Sequence, residues 1–288
     1  KDAKFNGSLL AVIGGNSQKT SLTVGDRLLG VYDGSTIDTE SGNKALLSVL
    51  DAKLTGPGGA IPLIDIADGS HFDRAGVPTP GSKPNVTVTS ALVTRSTVQL
   101  DGALLAASAP LFALTQAMMT TTSHFADLAG NKNPSMVLGD ALVALNASKL
   151  TIENGNLLNL NAATATVNGF LFSLTNGSTL TLNKGALFSL NNGSSLNLTA
   201  NAFGVFGSGD NMLTIENNLC TATCFQLVNS ANQPILLDGT PLKVAGATEN
   251  VVLPDNFNVF ALAPGATASN AKIDIDANDA LFRVDGTS

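Results

Sequence analysis

The sequence predicts an all-β fold, a parallel β-helix (β-solenoid) running as one continuous domain over residues 1–288. Three observations carry this: a short repeat, an alternation of apolar positions inside it, and a scarcity of charge. Between Ser148 and Asp210 the chain reads SKLTIENGNLLNLNA, ATATVNGFLFSLTNG, STLTLNKGALFSLNNG and SSLNLTANAFGVFGSG. A first segment aligns Leu150, Ala165, Leu180 and Leu196, with Ile152, Val167, Leu182 and Leu198 two residues on. Apolar residues at i and i+2 lie on one face of a strand. A second segment aligns Leu157-Leu158-x-Leu160, Leu171-Phe172-x-Leu174, Leu187-Phe188-x-Leu190 and Phe203-x-x-Phe206. A period of 15 to 16 residues is shorter than the helical repeats and suits a strand-turn-strand-turn coil. The crossover rule makes such a coil right-handed. One rung holds either one unit or a pair of them.

The composition fits stacked strands. Charged residues make up 13% of the chain, against about a quarter in ordinary globular proteins. Parallel strands set equivalent residues about 4.8 Å apart, so like charges in a column repel and Asn, Ser and Thr replace them. Between Gly155 and Lys184 no charge occurs. The net charge of −7, with 15 scattered Lys and Arg, argues against nucleic acid, which requires a basic stripe. It argues equally against an anionic membrane surface, and no apolar run is long enough for membrane insertion. Lys1 opens no basic-then-apolar leader, and the first residues already read as repeat. The expectation is a mature form whose export signal has been removed, located outside the cell or on its surface.

Taken in order, Leu9 to Gly14 matches the second half of a unit, and Ser21 to Ser35 a whole one. Ile37 and Ala45-Leu46-Leu47-x-Val49 form another, and Gly-Pro-Gly-Gly after Thr55 marks a wide turn. Residues 71–84 (HFDRAGVPTPGSKP) break the pattern; proline cannot donate to a ladder, so an irregular loop is expected there. Val86 to Leu100 alternates, Gln116 to His124 favours strand over a short helix, and a second loop falls at 130–135. Beyond Asp210 the units loosen through Leu213, Phe225, Ile235, Val251 and Phe257, and the chain ends on the half-unit Leu281-Phe282-Arg283-Val284-Asp285-Gly286.

The S-x-L-x-L-x-x-G-x-L-F-x-L-x-x-G texture of residues 148–210 resembles the passenger solenoids of bacterial filamentous-haemagglutinin and autotransporter-type exoproteins. The resemblance rests on rhythm and composition over about two thirds of the chain. It implies bacterial secretion, a right-handed coil, and adhesion or matrix building. The chain departs from that pattern in lacking an evident cap or secretion domain.

Few residues carry chemistry. Cys220 and Cys224, the only cysteines, read as a local disulfide, with free buried thiols or a metal site as alternatives. Asp65, Asp68, His71, Asp73 and Arg74 form the densest titratable cluster. They read as a solvated loop, or as the acid and base of a polysaccharide-cleaving enzyme. His124 reads as a structural histidine. Asp274, Asp276, Asn278 and Asp285 space out like a calcium loop, although Asp279 stands where the loop requires glycine. Asn-x-Ser/Thr sequons begin at Asn6, Asn85, Asn146, Asn176, Asn192 and Asn197. No cofactor motif is present, and no catalytic residue is assigned.

Scarce acids and bases, and few aromatic platforms for sugars, point away from an enzyme. A terminal rung without a cap exposes apolar side chains and unpaired backbone groups. The expected function is therefore an extracellular structural subunit that stacks on itself head to tail as a fibre, at a cell surface or in a biofilm matrix. Its assembly interface would comprise Leu9, Leu10 and Val12 at one end and Leu281, Phe282 and Val284 at the other. The alternatives are a fragment of a larger adhesin whose face binds surface glycans, and the cleaving enzyme. A threonine face around Thr179 and Thr181 for ice or sugar is a further, less favoured reading.

Overall fold

The computed structural model describes residues 2–5, 8–14, 20–32, 35–39, 45–67, 83–96, 103–130, 133–215, 226–228, 236–237, 240–241, 250–254, 256–267, 269 and 271–275. The fold is a parallel β-solenoid of four sheets, with eight, six, eight and seven strands taken in the order the chain meets them. One complete rung shows the path. Lys149–Ile152 lies in the first sheet, Leu158–Asn161 in the second, Thr164–Val167 in the third and Phe172–Thr175 in the fourth. Thr179–Leu182 then returns to the first sheet, parallel to Lys149–Ile152 with Leu150 opposite Leu180. A rung is thus 30 residues here (149 to 179) and holds a pair of sequence units.

The two segment types now have distinct places. Strands of the first and third sheets bury alternate residues only, as Leu150 and Ile152 do. Strands of the second and fourth are entered through an additional buried residue, such as Leu157 before Leu158 or Leu171 before Phe172. That residue fills the corner, which is why the sequence shows two adjacent apolar residues there. Inward columns run the length of the coil. One of them stacks Leu29, Ile64, Phe112, Val143, Phe172, Gly204 and Phe260. Gly204 is required in it, because a Cβ there would enter the Phe172 ring.

Two corners turn on a residue with left-handed backbone. From fourth to first sheet it is Gln116, Ala147 or Asn176, and from second to third it is Asp51, Ala162 or Asn192. Gln116 to His124 contains the strand Met118–Thr121. Of the loop expected at 130–135, Gly130 belongs to the strand Ala126–Gly130 and Ser135 to the strand Ser135–Leu138, and residues 131–132 lie outside the described residues. Most of the 71–84 loop lies outside the described residues. Beyond Ile215 the regular winding is interrupted: Asn250–Val252 takes the next place in the third sheet, and Gln226–Val228 pairs outside it. Leu236–Leu237 and Thr240–Pro241 form a small antiparallel pair.

Candidate functional site: the rung edges and the polar clusters

The first rung, built from Asp2–Phe5, Leu10–Ile13, Thr20–Thr23 and Leu29–Val31, forms the edge of all four sheets. Leu9 and Leu10 are half-buried against the core and Val12 is buried. Leu22 occupies the inward column of the third sheet, yet it is 39% exposed, whereas Leu54 beneath it is fully covered. At the opposite edge, Leu262 of the fourth sheet and Ile273 of the first are 44% and 40% exposed. Their columns lead back to Val31 and Ala3 of the first rung. Leu281, Phe282 and Val284 lie outside the described residues.

Asp65 is buried on the fourth sheet beneath Tyr32 and Arg27. The Tyr32 hydroxyl donates to its carboxylate at 3.1 Å, and Arg27 Nε lies 3.5 Å away. Burial, and then the Asp65 charge, push the Tyr32 hydroxyl up to about 12. The carboxylate is occupied by protein partners, an arrangement that anchors the side chains of neighbouring rungs. Asp68, His71, Asp73 and Arg74 lie outside the described residues, as do Cys220, Cys224, Asp276, Asn278, Asp279 and Asp285. Asp274 is exposed on the first sheet. Among the described residues no group of three His, Cys, Asp or Glu could hold a metal ion.

His124 is less isolated than its sequence neighbours suggest. Its Nδ1 accepts the N–H of Asn156 at 2.9 Å, and the Asn156 side chain accepts the N–H of Ala186 in the following rung at 2.9 Å. On the same sheet Arg95 donates to Asp127 at 2.6 Å, and the Asn159 amide donates to it at 2.9 Å. A comparable ladder fills the corner into the first sheet. Ser148 Oγ accepts from Ala117 N, Ser178 Oγ from Ser148 N, and Asn211 Oδ1 from Ser178 N. Sequence reading missed these ladders. Their signal is the recurrent Ser or Asn at the start of a strand, Ser148, Ser178 and Ser194 just before one and Asn211 as its first residue.

Two sequon asparagines, Asn146 and Asn176, form a surface ladder with Ser208: the Asn176 amide donates to Asn146 and accepts from Ser208. A shallow groove on the corner between third and fourth sheets is lined by Thr55, Ala106, Ser108, Val137 and Asn168, with no titratable group. Among the described residues no helix is long and apolar enough to cross a membrane. No protein family, curated protein or solved structure matches the chain.

Proposed function

We propose that the chain is a structural subunit of an extracellular fibre, extended by pairing of the last rung of one copy with the first rung of the next. The observation that carries this is the continuity of the apolar columns from edge to edge. The column that begins at Leu29 and Val31 ends at Phe260 and Leu262, and the one that begins at Leu22 reaches Val251 and Leu227. A second copy placed in register sets apolar residues on apolar residues and supplies strands to edges that carry no further strand among the described residues. Such a contact is heterologous and does not close, so it yields a filament.

The same edges would accept further rungs of a longer chain, as in an adhesin with a glycan-binding face. Electron microscopy of the purified protein separates the two. Filaments whose axial repeat equals one subunit support stacking, and uniform single particles at high concentration overturn it. Leu10→Lys places a charge on the edge of the second sheet and should abolish filaments while the circular dichroism stays that of β-structure. The cleaving-enzyme alternative rests on Asp65, Asp68 and Asp73, of which Asp65 alone is among the described residues, its carboxylate held by Tyr32 and Arg27. Turnover of any pectin or alginate that is lost in Asp68→Asn or Asp65→Asn would favour that alternative.

A further inference from the structure

The register brings five threonines into one outward column. Thr87, Thr120, Thr151, Thr181 and Thr214 stack on the first sheet at spacings of 33, 31, 30 and 33 residues. None of the five hydroxyls has a partner within the protein among the described residues. Elsewhere, Thr121, Thr175 and Thr199 each donate to a backbone carbonyl. Lys149, Thr151 and Glu153 alternate along one rung, so all three point outward on either side of and within the column. The N–H of Glu153 bonds Thr121 O, which continues the ladder to that residue.

We propose that this face docks on the same face of a second copy, the two solenoids lying parallel about a two-fold axis along their length. A partner that matches the row over five steps must repeat at the same interval, and a second stack of these strands does so by construction. Facing sheets pack about 10 Å apart, and on the two-fold axis each threonine meets its own equivalent across that gap. The charges choose the orientation. In the parallel arrangement, Lys149 faces Glu153 of the second copy, and Glu153 faces its Lys149. An antiparallel arrangement sets Lys149 on Lys149.

The next residues of the column are Asp38 and Asp274. On the axis the exposed Asp274 would meet its own equivalent, so the contact is confined to the five threonine rungs. That patch measures on the order of 300 Å² from strand spacing and rise, below the ~800 Å² per partner of a standard interface. Two single chains therefore associate weakly. The contact gains strength when repeated along stacked subunits, and to that extent it rests on the head-to-tail reading above.

The test uses Lys149→Glu and Glu153→Lys, each assembled alone and then mixed. Their column neighbours (Met118 and Thr179, Thr122 and Asn183) are neutral, so neither reversal creates a charge clash within the coil. Wild-type filaments should lie in parallel pairs, each variant alone should give single filaments, and mixing the two should restore pairs. Single wild-type filaments would overturn the face contact and leave stacking intact. Particles of one-chain length throughout would overturn stacking. In that event sedimentation at high concentration decides the face: association of the mixture that neither variant shows alone sustains it, and its absence overturns it.

Discussion

His124 Nδ1 and the backbone N–H of Asn156 meet at 2.9 Å across two successive rungs, a side chain of one coil satisfying the backbone of the next. Only a neutral imidazole can accept this bond. Burial, the largest influence, lowers the His124 pKa below 6.5; Asp127 opposes that shift and Arg95 assists it. A folded pKa below the unfolded one gives a stabilisation that is complete above pH 6.5 and is lost as pH falls through the folded value. For Asp127, burial acts upward, but the hydrogen bonds from Arg95 and Asn159 and the Arg95 and His124 charges outweigh it, leaving a pKa below 3.8. Its contribution is complete above that value and is lost further down. The melting temperature should therefore fall in two steps with acidification, starting near 6.5 and near 3.8. His124→Asn, which supplies the acceptor that Asn156 already uses, should remove the first step and keep the second. A first step that survives in this variant assigns it to another group.

Thr94 lies in the inward column between Val49 and Leu128, fully buried, and its hydroxyl has no partner. An unsatisfied buried hydroxyl costs about 1–3 kcal/mol. Thr94→Val keeps the shape and removes the cost, so it should stabilise the protein by about 1 kcal/mol or more in chemical denaturation. A loss of stability would mean that the hydroxyl is satisfied in solution.

Ala147 and Ala162 turn two corners at φ of 50° and 51°, where a Cβ is strained. Asn176-Gly177 and Asn192-Gly193 occupy the equivalent corners one rung on. Ala147→Gly and Ala162→Gly should each stabilise by up to about 1 kcal/mol, the relief of strain exceeding the entropy cost of glycine. The same change at Ala165, in mid-strand, should destabilise, which serves as the control.

Gly204 is the opposite case. Its space is filled by Phe172, whose ring packs with Phe206 and Phe260 at centroid distances of 5.9 and 6.0 Å. Gly204→Val would displace that cluster and should cost about 3 kcal/mol or more by overpacking. Phe172→Ala in the same chain should restore part of the loss, since it vacates the space that valine needs.

What was legible in the sequence was whatever repeats within one rung. Leu150 and Ile152, or Leu158 and Leu160, announce strands by themselves, and the solenoid follows from their rhythm. The rung length was hidden because the first and third sheets use the same i, i+2 pattern. Ala165 aligns with Leu150 and Leu180 by sequence, yet it stacks on Met136 and Leu196 in another sheet. The threonine column was hidden for the same reason: its members are a whole rung apart, and turns of unequal length separate them. Thr181 was visible only beside Thr179 in its own strand; its stacking on Thr151 and Thr214 exists only in the register.

The edge rung supplies the sharpest contrast between folding and assembly. Leu22 and Leu54 occupy one column, the first 39% exposed and the second fully covered. A lysine at position 54 would bury a charge among apolar neighbours, so Leu54→Lys should fail to fold. At position 22 the ammonium can reach water past the open edge, so Leu22→Lys should fold with nearly unchanged melting. In a fibre that edge is covered by the next copy, and the same ammonium would lie between stacked apolar rungs without a counter-charge. Leu22→Lys should therefore remain monomeric where the wild type forms filaments. Thr23→Lys, on the outward face of the same strand above Thr55, should still assemble. Filaments of unchanged length distribution from Leu22→Lys would place the junction away from the third sheet and sink the column-continuity argument.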